Sequence, residues 1–213
     1  MLTGVILFFV HATVPAQDKV EQLYREAMQT FGSGDPVEAS KTFEEIFSAN
    51  AVDLLYEDYG AQAGGMFFDY AMTLIPQQRW EEARTWFKHS VDAKKVADQF
   101  SMIKNENPRE NIAKFQLGYA ESQLGRHEEA LKLYQEYLDS QPPAQEWEKV
   151  RNSFVLRQGT SQIRAGKIED GILTIQQLFD NRAAWNVAPP FLMQGILELG
   201  MGWVDNAKAA GAD

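Results

Sequence analysis

The sequence predicts an all-α chain made of stacked antiparallel helix pairs, on three observations. Two small residues recur twelve positions apart, five times along the chain. Glycine or proline punctuates the stretches between apolar runs at helix–turn–helix intervals. No stretch sustains the period-two alternation of a half-buried strand.

The small-residue couples are Ala27/Ala39, Ala71/Ala83, Gly118/Ala130, Gly159/Gly171 and Gly195/Ala207. Small side chains at the point where two helices touch let the backbones approach, and larger ones hold them apart. Gly118 and Ala130 are therefore expected at the closest contact of their pair. Asp35-Pro36-Val37-Glu38 and Asn107-Pro108-Arg109-Glu110 read as helix starts, with a capping side chain, proline at the first helical position and glutamate behind it. Val52 to Ile75 and Pro143 to Ala165 read as long helices.

The clearest unit runs from Asn111 to Pro142. It carries Leu117-Gly118, Gly125, Ala130, Tyr134 and Pro142, at positions 7, 8, 15, 20, 24 and 32 of the unit. Gly125 suits the end of the first helix, where the chain turns and glycine tolerates positive φ. Tyr134 suits the space between neighbouring pairs. Pro142 and Pro143 stop one helix and start the next. This spacing resembles the tetratricopeptide repeat. Lys114 stands where that family usually has tryptophan, and Glu121 where it has tyrosine. The other units carry Gly34 and Phe43, Trp80 and Phe87, Gly166 and Ile175, and Gly202 beside their small couples.

The resemblance implies a right-handed solenoid of about five antiparallel helix pairs, with units near 20–53, 64–97, 111–142, 152–185 and 188–213. The helix-B anchors lie 44, 47, 41 and 36 residues apart, against a family repeat of 34, which makes the first helices longer or adds linkers. It also implies a protein or peptide partner. The family's concave groove is lined from the first helix of each pair. Carried over, its positions fall on Tyr24, Met28 and Phe31, on Phe68, Met72 and Ile75, on Phe115 and Tyr119, on Leu156 and Ile163, and on Leu192, Ile196 and Leu199. Two readings stand for this unusually apolar set. Either it is an open groove for an apolar peptide or amphipathic helix, or these side chains are buried inside the stack, as runs such as Met66-Phe67-Phe68 suggest.

Composition narrows the chemistry. The net charge of −10 repels nucleic-acid backbones, so no nucleic-acid partner is expected. The absence of cysteine removes disulfides, thiolate chemistry, thiol–zinc sites and an acylated lipoprotein cysteine. His127-Glu128-Glu129 begins like a zinc-protease helix, but Leu131 stands where the second histidine would be. Gly32-Ser33-Gly34 is a turn, Gly166-Lys167 lacks the upstream glycine of a phosphate loop, and Gly200-Met201-Gly202 lacks the third glycine of a dinucleotide fingerprint. The glutamate couples Glu44/Glu45, Glu81/Glu82 and Glu128/Glu129 point about 100° apart on a helix and do not converge on one proton. Neither an enzyme site nor a cofactor or metal is expected.

The two ends carry further expectations. Leu2 to Val10 is too short to span a bilayer, and Val14-Pro15-Ala16 follows with small residues placed for cleavage after Ala16. That resembles a secretory signal over residues 1–16 and implies a periplasmic or secreted protein with no transmembrane span in its mature form. The alternative is a buried N-terminal helix in a cytoplasmic protein. At the other end the fifth pair is expected to have a short second helix from near Asp205. That would leave an apolar face open for self-association. The function that fits best is a non-catalytic scaffold of the bacterial envelope. The alternative is an accessory region of a larger envelope enzyme, such as a cell-wall lytic enzyme.

Overall fold

The computed structural model describes residues 16–49, 52–100, 107, 109–180, 189–209 and 211. All regular structure among them is helical. The first pair is α1 (Ala16–Gly32) and α2 (Pro36–Ala49). Then come α3 (Val52–Tyr59), a 3₁₀ turn (Gly60–Gln62), α4 (Ala63–Leu74) and α5 (Trp80–Ala97). The third pair is α6 (Glu110–Gln123) and α7 (His127–Asp139), and the fourth α8 (Ala144–Arg164) and α9 (Ile168–Asp180). A last helix, α10 (Pro189–Ala209), packs on α9 and α8. The expected signal, apart from Ala16, lies outside the described residues.

The α2 cap forms where composition places it, whereas α6 starts two residues later than expected, at Glu110 with Arg109 as N-cap and no side-chain cap bond. The Asp35 carboxylate accepts a hydrogen bond from the Glu38 amide at 3.0 Å and closes the first turn of α2. The Asn107 side-chain oxygen accepts from the Arg109 amide at 2.9 Å, while its amide nitrogen donates to the Ser90 carbonyl at 2.7 Å. One side chain thus shapes the turn before α6 and ties it to α5. It fits because Gly64 has no Cβ, which would collide with the Asn107 carboxamide and with Ala93.

Small residues bring each pair together. A Cβ on Gly171 would lie 2.7 Å from the Gly159 carbonyl oxygen, and one on Gly159 would lie 3.0 Å from the Gly171 carbonyl oxygen. Backbone therefore meets backbone. In the third pair a Cβ on Gly118 would meet the Tyr134 ring at 2.6 Å and the Ala130 carbonyl oxygen at 3.2 Å. Ala27, Ala39, Ala71, Ala83 and Ala130 are completely buried.

Aromatic rings then join pair to pair. Phe47 stacks on Trp86 with ring centres 4.3 Å apart, linking α2 to α5. Tyr134 stands between Phe115 at 5.9 Å and Phe154 at 5.6 Å, linking α7 to α6 and α8. Each such contact adds about 0.5–1.5 kcal/mol beyond the area it buries. Ion pairs follow the same course on the surface. Arg79 reaches Glu44 at 2.9 Å, Arg126 reaches Glu81 at 2.7 Å and Lys167 reaches Glu128 at 2.9 Å. In each case the base stands one residue after the inter-helix turn and touches the second helix of the preceding pair. These pairs are exposed, so solvent screens them and each contributes little. Glu121 is different. It is buried and held by Arg84 at 2.6 Å and Arg126 at 3.2 Å.

Two expectations need correction. Val52 to Ile75 is not one helix, because Gly60, with a φ of 57°, leaves helical backbone and a 3₁₀ turn separates α3 from α4. The fifth helix pair does not form among the described residues. Gly195 and Ala207 lie on the single helix α10, with Gly195 buried against α9 and Ala207 exposed. Nothing between them breaks a helix, since Gly200 and Gly202 stay in regular helical backbone.

The turns before α2, α7 and α9 pass through left-handed backbone at Gly34 (φ 94°), Gly125 (79°) and Gly166 (81°). Each stands five residues before the buried small residue. The corresponding residue before α5 is Gln78, which holds φ 57° with a side chain attached. That conformation costs an L-residue roughly 1–2 kcal/mol, part of which glycine returns as chain entropy. Gln78→Gly is expected to raise stability by about 1 kcal/mol in urea denaturation; a lower midpoint would show that the turn is held by the glutamine itself.

Candidate partner-binding groove

The first helices of the pairs, together with α10, line one side of the stack. The structure divides the expected groove residues in two. Phe68, Phe115, Leu156 and Ile163 are buried, with Phe68 in the N-terminal core, Phe115 at the junction of α6, α7 and α8, and Leu156 and Ile163 between α8, α9 and α10. For these four the burial matches the second reading, side chains inside the stack, although Leu156 and Ile163 also border cavities. Leu199 is also buried, and Ile196 points outward from the end of the stack. Tyr24, Met28, Phe31, Met72 and Tyr119 are half-buried, as is Ile75. The Leu192 side chain lies outside the described residues.

The reason is a shift of register by one residue, about 100° around a helix. Asp69, Gln116 and Arg157 directly follow Phe68, Phe115 and Leu156, and it is they that carry the polar contacts of this side. At the centre the observed surface is accordingly polar, whereas Asp69 is itself buried. The signal available in the sequence was the lone charge in each apolar run: Asp69 within Met66 to Leu74 and Arg157 after Phe154-Val155-Leu156.

Toward the N-terminus a cavity of about 360 Å³ is lined by Glu21, Tyr24, Tyr59, Asp69 and Arg109 among others. The Tyr24 hydroxyl donates to Asp69 at 2.5 Å, and the Arg109 guanidinium stands 3.8 Å from the same carboxylate and 5.4 Å over the Phe68 ring. Burial raises the Asp69 pKa, against the lowering effect of the Tyr24 hydrogen bond and of Arg109. Burial likewise pushes the Tyr24 phenol up, reinforced by Asp69. This cluster is internally satisfied and ties α1 to α4 and α6.

The centre of the groove is different. Between α6, α8 and α10 lies a cavity of about 210 Å³ lined by Tyr119, Ser122, Gln123, Leu156, Arg157, Thr160 and Gln194, so the expected groove residues Tyr119 and Leu156 both border it. It adjoins one of about 370 Å³, which shares Ser122, Gln123, Thr160 and Gln194 and adds His127, Arg164 and Glu198. The Arg157 guanidinium lies 3.5 Å over the Tyr119 ring and 4.9 Å over Phe115, and donates to the Gln116 side-chain oxygen at 3.1 Å. No described carboxylate forms an ion pair with it. Burial lowers its pKa, with Tyr119 and Tyr134 acting the other way.

Three buried polar atoms on this same trough lack a hydrogen-bond partner: His127 Nδ1, Thr160 Oγ1 and Glu198 Oε2. Glu198 stands 3.7 Å from Arg164, close enough for charge attraction and too far for a hydrogen bond. Burial, then Arg164, holds the His127 pKa below its ordinary value. Arg157, His127, Thr160 and Glu198 thus supply unspent donors and acceptors around one opening. They form no nucleophile–base pair. Among the described residues no group of three His, Cys, Asp or Glu could hold a metal ion, and no helix is long and apolar enough to cross a membrane.

Comparison with known proteins agrees with this architecture. Residues 94–144, which contain the α6/α7 pair, match the tetratricopeptide repeat family. No curated protein matches the chain significantly. The described helices, packed in adjacent pairs without strands, form an all-α solenoid of tetratricopeptide type, and repeats of this kind generally mediate protein–protein interaction.

Proposed function

We propose that this chain is a non-catalytic scaffold of the bacterial envelope that holds a polypeptide segment in the trough between α6, α8 and α10. The observation that carries the proposal is the gathering of Arg157 and three buried polar atoms without a hydrogen-bond partner around one opening, of which Glu198 Oε2 faces Arg164 at 3.7 Å. Buried polar groups are almost always hydrogen-bonded. An extended backbone supplies the missing carbonyls and amides in alternation. Arg157 suits a carbonyl or carboxylate of that segment, because its charge has aromatic faces beneath it and no anion beside it. The −10 charge of the chain steers basic partners toward it. The envelope location rests on the apolar run Leu2 to Val10 and the small residues before Gln17. Protein recovered from its native cell is expected to begin at Gln17, and an intact Met1 would place it in the cytoplasm.

The binding reading is tested with peptides selected from a displayed library against the intact chain. Arg157→Ala should weaken their binding tenfold or more, since a hydrogen bond to a charged group is worth about 1.5–3 kcal/mol. Thr160→Val should weaken it less, and Arg25→Ala, on exposed α1, should leave it unchanged. Circular dichroism confirms that each variant is folded. Selected peptides that bind the Arg157 and Thr160 variants as well as the parent would overturn the assignment of this trough.

A further inference from the structure

We infer that the outer face of α10 is a self-association surface on which a second copy of this chain packs antiparallel about a twofold axis near Gly200. The helix buries one side against α8 and α9 through Gly195, Glu198, Leu199 and Gly202. Its other side is exposed and apolar. Met193 is 66% exposed, Leu197 64%, Ile196 59%, Trp203 55%, Val204 52% and Met201 42%. At 100° per residue these side chains span an arc of about 160°, and Lys208 is the one described charge within it.

The face is complementary to itself. Met193, Leu197, Gly200, Val204 and Ala207 alternate by four and three residues, the period of a helix–helix seam. An antiparallel copy centred on Gly200 sets Met193 opposite Ala207 of the second copy and Ile196 opposite Val204. Met193 then meets a smaller side chain, and Leu197 meets Trp203. Gly200 meets itself on the axis, and a Cβ built there would touch nothing within 4 Å, so the backbones have room to approach. A face used twice in this way closes on itself and makes a dimer, not a filament.

Charge and area agree. Each copy carries −10, yet this face carries no described acid, so pairing through it brings no described carboxylates together. Among the described residues, the outward side of α1 carries Asp18, Glu21 and Glu26, a charged face unlike that of α10. The exposed apolar surface of α10 is on the order of 600 Å² per copy, so a twofold pairing removes about 1,200 Å², the lower bound for a specific interface. The trough lined by Gln194 and Glu198 lies on the adjacent side of the helix, and Arg164 borders both it and the cavity of about 570 Å³ along Leu197, Gly200 and Val204.

The test uses the intact chain. Sedimentation equilibrium at micromolar concentration is expected to show a reversible monomer–dimer system, and Leu197→Glu is expected to be monomeric with unchanged helical content and Tm. The chain has no cysteine, so Gly200→Cys introduces a single thiol. Mild oxidation should join two copies of it into a covalent dimer, while Leu173→Cys, exposed on α9, should stay monomeric under the same conditions. A parent chain that is monomeric at every concentration would overturn the inference and leave the face to a different occupant. Open-ended oligomers, or a Leu197→Glu variant that still dimerises without crosslinking at residue 200, would overturn the twofold arrangement.

Discussion

Backbone approach at the paired small residues is the constraint on which the rest of this solenoid depends. Where Gly159 faces Gly171, each would-be Cβ falls within about 3 Å of the other's carbonyl oxygen. The two helices cannot be closer, and any added side-chain atom forces them apart. That distance sets how far the next pair lies and which residues reach it. Tyr134 bridges the third and fourth pairs because Gly118 lets its ring lie flat against α6. The inter-pair bridges Arg79–Glu44, Arg126–Glu81 and Lys167–Glu128 recur because the turn before each second helix returns to the same place relative to the preceding pair.

Sequence disclosed these anchors because their constraint is steric and local. Only small residues fit the contact, only residues that accept positive φ fit the turn, and both conditions leave a mark at fixed spacing. Gln78 escaped notice because it meets the second condition at an energetic cost and without glycine. The break at Gly60 escaped because one glycine inside an apolar run is not distinguishable from a tolerated one until the chain turns there. The two helices expected at the C-terminus are one, since a twelve-residue spacing between small residues also arises on sides about 120° apart of a single long helix. Gly195 faces α9 and Ala207 faces outward.

The groove was less legible for a geometric reason. A register error of one residue rotates a helix position by about 100°, enough to exchange a core phenylalanine for the charged residue beside it. The family's spacing carried over onto longer first helices lands on Phe68, Phe115 and Leu156, while Asp69, Gln116 and Arg157 make the polar contacts. Single charges inside apolar runs were the better guide, since a charge is costly to bury without a partner. The same reasoning separates the two surfaces of α10. Gln194 and Glu198 mark the side that belongs to the trough, and the almost uncharged arc from Ile196 to Val204 marks the side that seeks apolar cover.

The central claim is that small residues at the pair contacts hold the stack together through backbone proximity. Urea denaturation of Gly171→Leu tests it most directly, with Gln177→Leu, exposed on the same helix, as the comparison. The account predicts that Gly171→Leu loses at least about 1–3 kcal/mol through overpacking against Ile163 and the Gly159 backbone, while Gln177→Leu stays within about 0.5 kcal/mol of the parent. Equal midpoints for the two variants would contradict it, because the contact would then have room for a side chain that the structure does not allow.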